Sequence, residues 1–335
     1  MAITVAVDGR GVERGTGVLI EGLRAACADG IALRVFGDPA TFAGVDGIEV
    51  VEARDEILND DEPVAAVRSR EQASVVLAAR DVAEGRSQAL VSAGPTGATM
   101  TAALFALKRL RGVRRPALTI QLAVPGHSGP PTVLLDVGAN TEVRSQDLVQ
   151  FGVLGAAFAK AVLGVASPRV ALLSVGEEAK KGSQVVVDAH AELARLEGID
   201  FTGNVEGRDL LGDSADVIVT DGFTGNVALK TLEGTAKAVG AAVGSAARSN
   251  PVAALGGLLL RPAFGGLRRE LDPDSTGGAI LLGLRGVAVV GHGSSGPEGI
   301  ANAIRLAARA VDERAIERTA ELLHTAGATR SELSS

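Results

Sequence analysis

One unit constrains this chain more than any other. A β-branched run, a glycine-bearing loop and a helical pattern follow one another at residues 217–234, VIVTDGFTGNVALKTLEG. The run at 217–220 has the pattern of a buried strand, Asp221, Gly222 and Gly225 break it, and Ala, Leu and Lys then take over at helical spacing. In an open α/β sheet such a loop lies at the carboxyl end of a strand, and its free N–H groups face an anion at the helix N-terminus. Found once, it would be an ordinary strand-to-helix turn.

It recurs. ALVSAGPTG at 89–97 leads into a helical pattern at 98–110, TVLLDVGAN at 132–140 follows a further strand, and VALLSVGEEAKKG at 170–182 makes another copy. Several strand ends that carry Gly with Asp, Asn, Thr or Lys predict one polar cleft built from many loops. Its candidate ligand-binding residues are Ser92, Gly94, Thr96, Gly97, Asp136, Asn140, Glu177, Asp221, Phe223, Thr224, Gly225 and His292, with Lys181 and Asn226 beside them. The fold class that follows is α/β: an open, mostly parallel sheet with helices on both faces. The 335 residues are read as a single α/β domain from which residues 237–275 protrude as a helical element.

Composition removes other classes. With aromatics at 2% and neither Trp nor Tyr, the core is built from Ala, Val, Leu and Ile, and stacking platforms for nucleic acid are missing. A net charge of −7 also disfavours nucleic acid as a partner. The one cysteine, Cys27, excludes a disulfide framework or a paired-cysteine zinc site, and its Ala-rich helical setting predicts a buried structural thiol. No metal or cofactor is implied. The N-terminus lacks a basic leader pattern and no apolar run reaches the ~18 residues of a membrane span, so the expected compartment is the cytoplasm.

In chain order, strands are expected at 3–7 and 32–36 with a helix at 16–28 between them. Gly9, Gly11 and Asp38 loosely imitate a dinucleotide fingerprint with the spacing off by one, which makes a nicotinamide-dependent dehydrogenase the runner-up. A helix is expected at 67–83. The helix at 98–110 ends in Lys108, Arg109, Arg111, Arg114 and Arg115, either a solvated helix end or a landing patch for an acidic partner. Strands at 118–124 and 132–136 and a helix at 145–165 follow. Lys181 abuts Gly182 at a helix start with Ser183 as N-cap, where an ammonium and backbone donors can hold one phosphate. Glu206 and Arg208 read as a loop salt bridge. Residues 250–270, apolar with Gly breaks and flanked by Arg261, Arg268 and Arg269, form an amphipathic element that docks on a partner subunit or a membrane surface. A last strand at 287–290, the HGSS turn and a long helix at 297–326 close the chain.

Together the motifs VSAGPTGA (91–98), RPAL (115–118), LLDVGAN (134–140), LLSVGEEAKKG (172–182), GNVEGRDLL (203–211), DGFTGNVALKTLEG (221–234), GGAILLG (277–283) and HGSS (292–295) resemble the PlsX-type phosphate acyltransferases. The resemblance covers nearly the whole chain. It implies formation of acyl-phosphate from an acyl-[acyl carrier protein] thioester and inorganic phosphate, for phospholipid synthesis. It also implies a fold similar to phosphate acetyltransferases and isocitrate dehydrogenase-like enzymes, a homodimer with the active site near its interface, and peripheral membrane contact through roughly 250–270. By motif position it assigns Lys181 and Asn226 to the active site. Phosphate is already a nucleophile, so the protein needs only to position it and stabilise an oxyanion. His292 is a candidate proton donor to the leaving thiolate, or else a packed histidine. Two loops depart from the family pattern: DGRGVE (8–13) stands where DAMGGD is usual, and Pro95 stands where Asn is usual. These departures keep a third reading open, a non-catalytic paralogue that binds carrier protein or membrane.

Overall fold

Runs such as TVAVD, ALVS and VAVV show no polar alternation, which suits strands covered on both faces. In the computed structural model they are β1 (Thr4–Asp8), β4 (Ala89–Ser92) and β11 (Val287–Val290), all buried but for Thr4. Residues 3–127, 129–260 and 274–333 are described in full, and 261–270 and 273 by backbone alone. The Arg261, Arg268 and Arg269 side chains therefore lie outside the described residues. The remaining strands are β2 (Ala32–Gly37), β3 (Ile48–Glu52), β5 (Ala117–Leu122), β6 (Thr132–Leu135), β7 (Arg169–Leu173), β8 (Asp200–Val205), β9 (Val217–Val219) and β10 (Ala279–Leu282). Among the described residues these form one eleven-stranded sheet in the order β3-β2-β1-β4-β11-β10-β5-β6-β9-β7-β8.

Strand direction divides the sheet. The first block, β3-β2-β1-β4-β11, is parallel throughout, and so is the second, β6-β9-β7-β8. Between them β10 runs antiparallel to both β11 and β5, and β5 antiparallel to β6. The second block therefore runs opposite to the first. Carboxyl ends of the first block lie on one edge of the sheet and those of the second block on the other, together with the amino ends of the first.

Helices cover both faces. One face carries α1 (Thr16–Ala28), α5 (Ser145–Val162), α6 (Gln184–Leu193), α9 (Pro297–Asp312) and α10 (Ala315–Thr325), packed around Leu23, Phe151, Phe158, Ile304 and Leu323. The other carries α2 (Pro63–Ser69), α3 (Ser74–Ala83), α4 (Thr96–Leu107) and the start of α7 (Gly222–Ala246). Helix α5 is buried along nearly its whole length, and Gly155 lets it approach so closely that a Cβ there would lie 2.5 Å from Val217 Cγ1. The second half of α7 and the following α8 (Pro251–Glu270) stand out from the sheet, with Val239, Val252, Leu255, Leu258 and Leu259 exposed. Among the described residues no helix is long and apolar enough to cross a membrane.

Two long helical expectations break in the middle. The helix at 67–83 is two, because Ala73 bridges to Asp55 and Arg70 turns back to bond Asp61 and the Glu56 carbonyl. The helix at 297–326 is α9 and α10, separated at Arg314, which takes a left-handed conformation with φ 52°. Cys27 is half-buried rather than enclosed; its Sγ donates to the Gly47 carbonyl, and burial pushes the thiol pKa up. Ser183 does occupy the position before α6, although its side chain makes no capping bond.

Candidate active site

The second-block edge is built around Asp136, the residue after β6. Its side chain is buried and accepts from the Leu118, Gly138, Ala139 and Asn140 N–H groups and from the Asn140 side-chain amide, at 2.7–3.1 Å. Burial raises its carboxyl above the ordinary value while these donors pull against it. Five donors leave a carboxylate no spare acceptor position, so Asp136 shapes the loop instead of meeting a ligand. Asn140 completes the turn by donating its amide to the Pro116 carbonyl at 2.7 Å and accepting from Arg115 at 3.4 Å.

The loop after β9 is pressed against that turn. Gly222 N–H donates to Asn140 O at 2.8 Å, and a Cβ at Gly222 would come within 2.7 Å of the same oxygen. A Cβ at Gly225 would be driven into the Asp136 carbonyl. The two glycines of DGFTG are thus there for close approach, and they weld this motif to LLDVGAN. Asp221 caps α7: its carboxylate accepts from the Thr224 N–H at 2.8 Å and the Thr224 hydroxyl at 2.7 Å. Phe223 and Asn226 face outward, Phe223 at 64% exposure. Asn226 donates one amide hydrogen to the Val137 carbonyl at 3.1 Å, which orients the side chain and, among the described residues, leaves Oδ1 and the second N–H without a partner.

The loop after β7, the strand next to β9, carries Lys181 on the same edge. Ser174 holds its two ends together by donating Oγ to the Lys181 carbonyl at 2.9 Å, and Lys181 N–H closes a turn on Glu178 O. Gly182, at φ 108°, passes where a side chain would strike Ser174 Oγ. Glu177 is engaged with Arg208 at 2.9 Å, and Arg208 also pairs with Glu206, the expected loop salt bridge. Among the described residues no carboxylate pairs with Lys180 or Lys181, both exposed. Of the sequence-predicted residues on this edge, Lys181 and Asn226 keep uncommitted polar groups while Asp136, Glu177, Asp221 and Thr224 spend theirs on the loops.

Sequence reasoning missed the support beneath Lys181. Asn204, buried at the end of β8, donates to the Glu178 carbonyl at 2.9 Å and pairs with His190 Nδ1 at 3.1 Å, and the His190 ring meets Phe201 edge to face. The signal lies in GNVEGRDLL, where Asn204 precedes the charged pair Glu206 and Arg208.

Ser92, Gly94, Thr96, Gly97 and His292 lie elsewhere, at the carboxyl ends of β4 and β11 on the opposite edge. Ser92 donates to buried Asp8 at 2.7 Å and accepts from Gly94 N–H and Thr99 Oγ1. Burial raises the Asp8 carboxyl, with Ser74, Ser92 and the Arg10 N–H acting against it. His292 is exposed, and its Nδ1 accepts the Ser294 N–H at 3.2 Å. The loops expected to converge on one cleft thus form two groups, because β10 and β5 reverse the second block. His292 is not brought to Lys181 or Asn226 within the chain.

Comparison with known proteins decides among the readings. A family model described as fatty acid synthesis protein matches residues 3–318. A phosphate acyltransferase from Elusimicrobium minutum is 48% identical over 271 residues, 79% of this chain and 77% of that protein. One from Bacillus subtilis is 40% identical over 316 residues, covering 92% and 94%. The chain belongs to the phosphate acyltransferase family. Its fold is also that of a phosphotransacetylase from Streptococcus pyogenes, with a TM-score of 0.62 at 17% identity over 93% of this chain and 94% of that one. As a member of the phosphate acyltransferase family it is an enzyme of fatty acid and lipid synthesis, which leaves the dehydrogenase reading without support. Asp38, on which that reading leaned, spends an oxygen on the Ala40 N–H of its own turn at 2.9 Å.

Proposed function

We propose that this enzyme transfers an acyl group from an acyl carrier protein thioester to inorganic phosphate, giving acyl-phosphate and free carrier thiol. A phosphate oxygen attacks the thioester carbonyl carbon, the C–O bond forms, the C–S bond breaks, and the sulfur leaves as thiolate to take a proton from water. The observation that carries this reading is the pair of groups on neighbouring strand ends that stay uncommitted among the described residues: the Lys181 ammonium without a carboxylate and the Asn226 amide oriented from one side only. Lys181 holds phosphate charge. Asn226, near the start of α7 where the helix dipole is positive, stabilises the oxyanion on the thioester carbonyl through its side-chain amide. Exposed Val175, Phe223 and Val227 on this edge offer apolar surface to the acyl chain.

The basic cluster supports the carrier's approach. Arg114 is held by Asp147 at 2.9 Å, but Arg109, Arg111 and Arg115 are exposed and lie on the same edge as Lys181, with Arg115 touching Asn140. An acidic carrier fits them. The exposed apolar residues of α7 and α8 suit contact with a second copy of the chain or with a membrane surface, and we assign α8 to the membrane. The whole reading is tested by incubating the enzyme with long-chain acyl carrier protein and phosphate and trapping acyl-phosphate with hydroxylamine. Phosphate-dependent hydroxamate is expected, and its absence would refute the proposed reaction.

A further inference from the structure

A cavity of about 460 Å³ opens at the amino edge of the first block, between the end of α4, the starts of β4 and β11, and the α9–α10 corner. That volume falls in the range of small-molecule sites, roughly 300–1,000 Å³. Val82, Leu107, Val287 and Ile316 contribute apolar wall, and the polar groups are unevenly spent. The Gln88 amide oxygen accepts the Thr4 N–H and Ser87 donates to Asp81. Lys108 and Arg285 also line the cavity, and among the described residues neither forms an ion pair. Glu317 is the carboxylate of the lining and it too is unpaired among the described residues, so the cavity keeps a surplus of one positive charge.

The backbones that carry the two cations are tied together by a strained turn. Lys108 ends α4 at φ 63° and ψ 165°, a conformation that belongs almost wholly to glycine. Its N–H donates to Leu104 O at 3.1 Å and its carbonyl accepts the Arg285 N–H at 3.0 Å, while Arg285 Nε donates to Arg109 O at 3.1 Å. A glycine would hold this turn without strain, yet the position carries a lysine that lines the cavity.

We propose that this cavity binds an anionic amphiphile, with a carboxylate or phosphate head between Lys108 and Arg285 and an alkyl tail along the apolar wall. The proposal does not depend on the acyl-transfer reading. Decanoate and decyl phosphate separate a fatty-acid head from a phosphate monoester head, and decanol and acetate supply tail and head alone. Since the chain has no Trp or Tyr, binding is followed by titration calorimetry. At least one of the two amphiphiles is expected to bind saturably, and both controls at least about tenfold more weakly. Lys108→Gly relieves the strained turn, so it should raise thermal stability while weakening binding about tenfold; Arg285→Gln should weaken it similarly. Glu317→Gln should tighten binding, and Lys181→Ala should leave it unchanged. The proposal is overturned if neither amphiphile saturates, if Lys108→Gly and Arg285→Gln bind as the parent does, if Glu317→Gln weakens binding, or if Lys181→Ala abolishes it.

Discussion

At the scale of single residues, glycine does two different jobs at this site. Gly182 supplies a positive φ, whereas Gly222 and Gly225 supply absence of volume where two loops meet. Gly225→Ala would force its Cβ onto the Asp136 carbonyl, so the mutant should lose roughly 2–4 kcal/mol of stability in chemical denaturation, more than a typical helix substitution. A smaller and more specific effect is expected at Asn204. It touches no reacting atom in the proposed reaction and acts by holding the turn that presents Lys181. Asn204→Ala should therefore lower kcat about tenfold with little change in KM for the carrier substrate, read from steady-state kinetics. A KM effect alone would mean that the turn is set by other contacts.

At the scale of elements, the strands that could be read from the sequence are the buried ones. β1, β2, β4, β6, β7, β9 and β11 fall within a residue or two of the apolar runs that announce them, since parallel strands covered on both faces leave few polar positions. β3 and β8 were not legible because they are edge strands whose exposed positions carry Glu, Asp and Thr. The breaks in the two long helices were hidden as well, since apolar periodicity continues across Arg70 and Arg314 while the cause lies in long-range pairing or one backbone angle. Least legible was the reversal at β10 and β5. No local pattern records strand direction, yet that reversal decides which loops share an edge, and so which half of the candidate residues belongs with Lys181. The second block has its own pH signature. Arg169 pairs with Asp213 and Asp216 at 2.8 and 3.0 Å, tying β7 to the approach of β9. Burial pushes the Asp216 carboxyl up, but the Arg169 bonds outweigh it and the folded value lies below the ordinary 3.8. The stabilisation is then fully present above the unfolded value and is lost as pH falls through the folded one. Asp216→Asn should cost about 1 kcal/mol near neutrality, after allowance for solvent screening, and nothing measurable at low acidic pH. Denaturation midpoints of both proteins at the two pH values check this.

At the scale of the whole molecule, the acidic carrier of the proposed reaction would meet an acidic enzyme and so needs a local exception to its charge, for which the exposed Arg109, Arg111 and Arg115 beside the Asn140 loop are the candidate. Reversing the three to Glu should raise KM for the carrier substrate by about tenfold or more at low salt, and the gap between parent and mutant should close as ionic strength rises. The same edge carries Lys181 and Asn226, while Ser92 and His292 sit on the other. The most direct test of the proposed site is acyl-phosphate formation by folded Lys181→Ala, Asn226→Ala and His292→Ala enzymes compared side by side with the parent. The account predicts a loss of about 10²–10³ in rate for each of the first two and a change of no more than a few-fold for the third. Near-parental rates for Lys181→Ala and Asn226→Ala, with the large loss at His292→Ala, would contradict it.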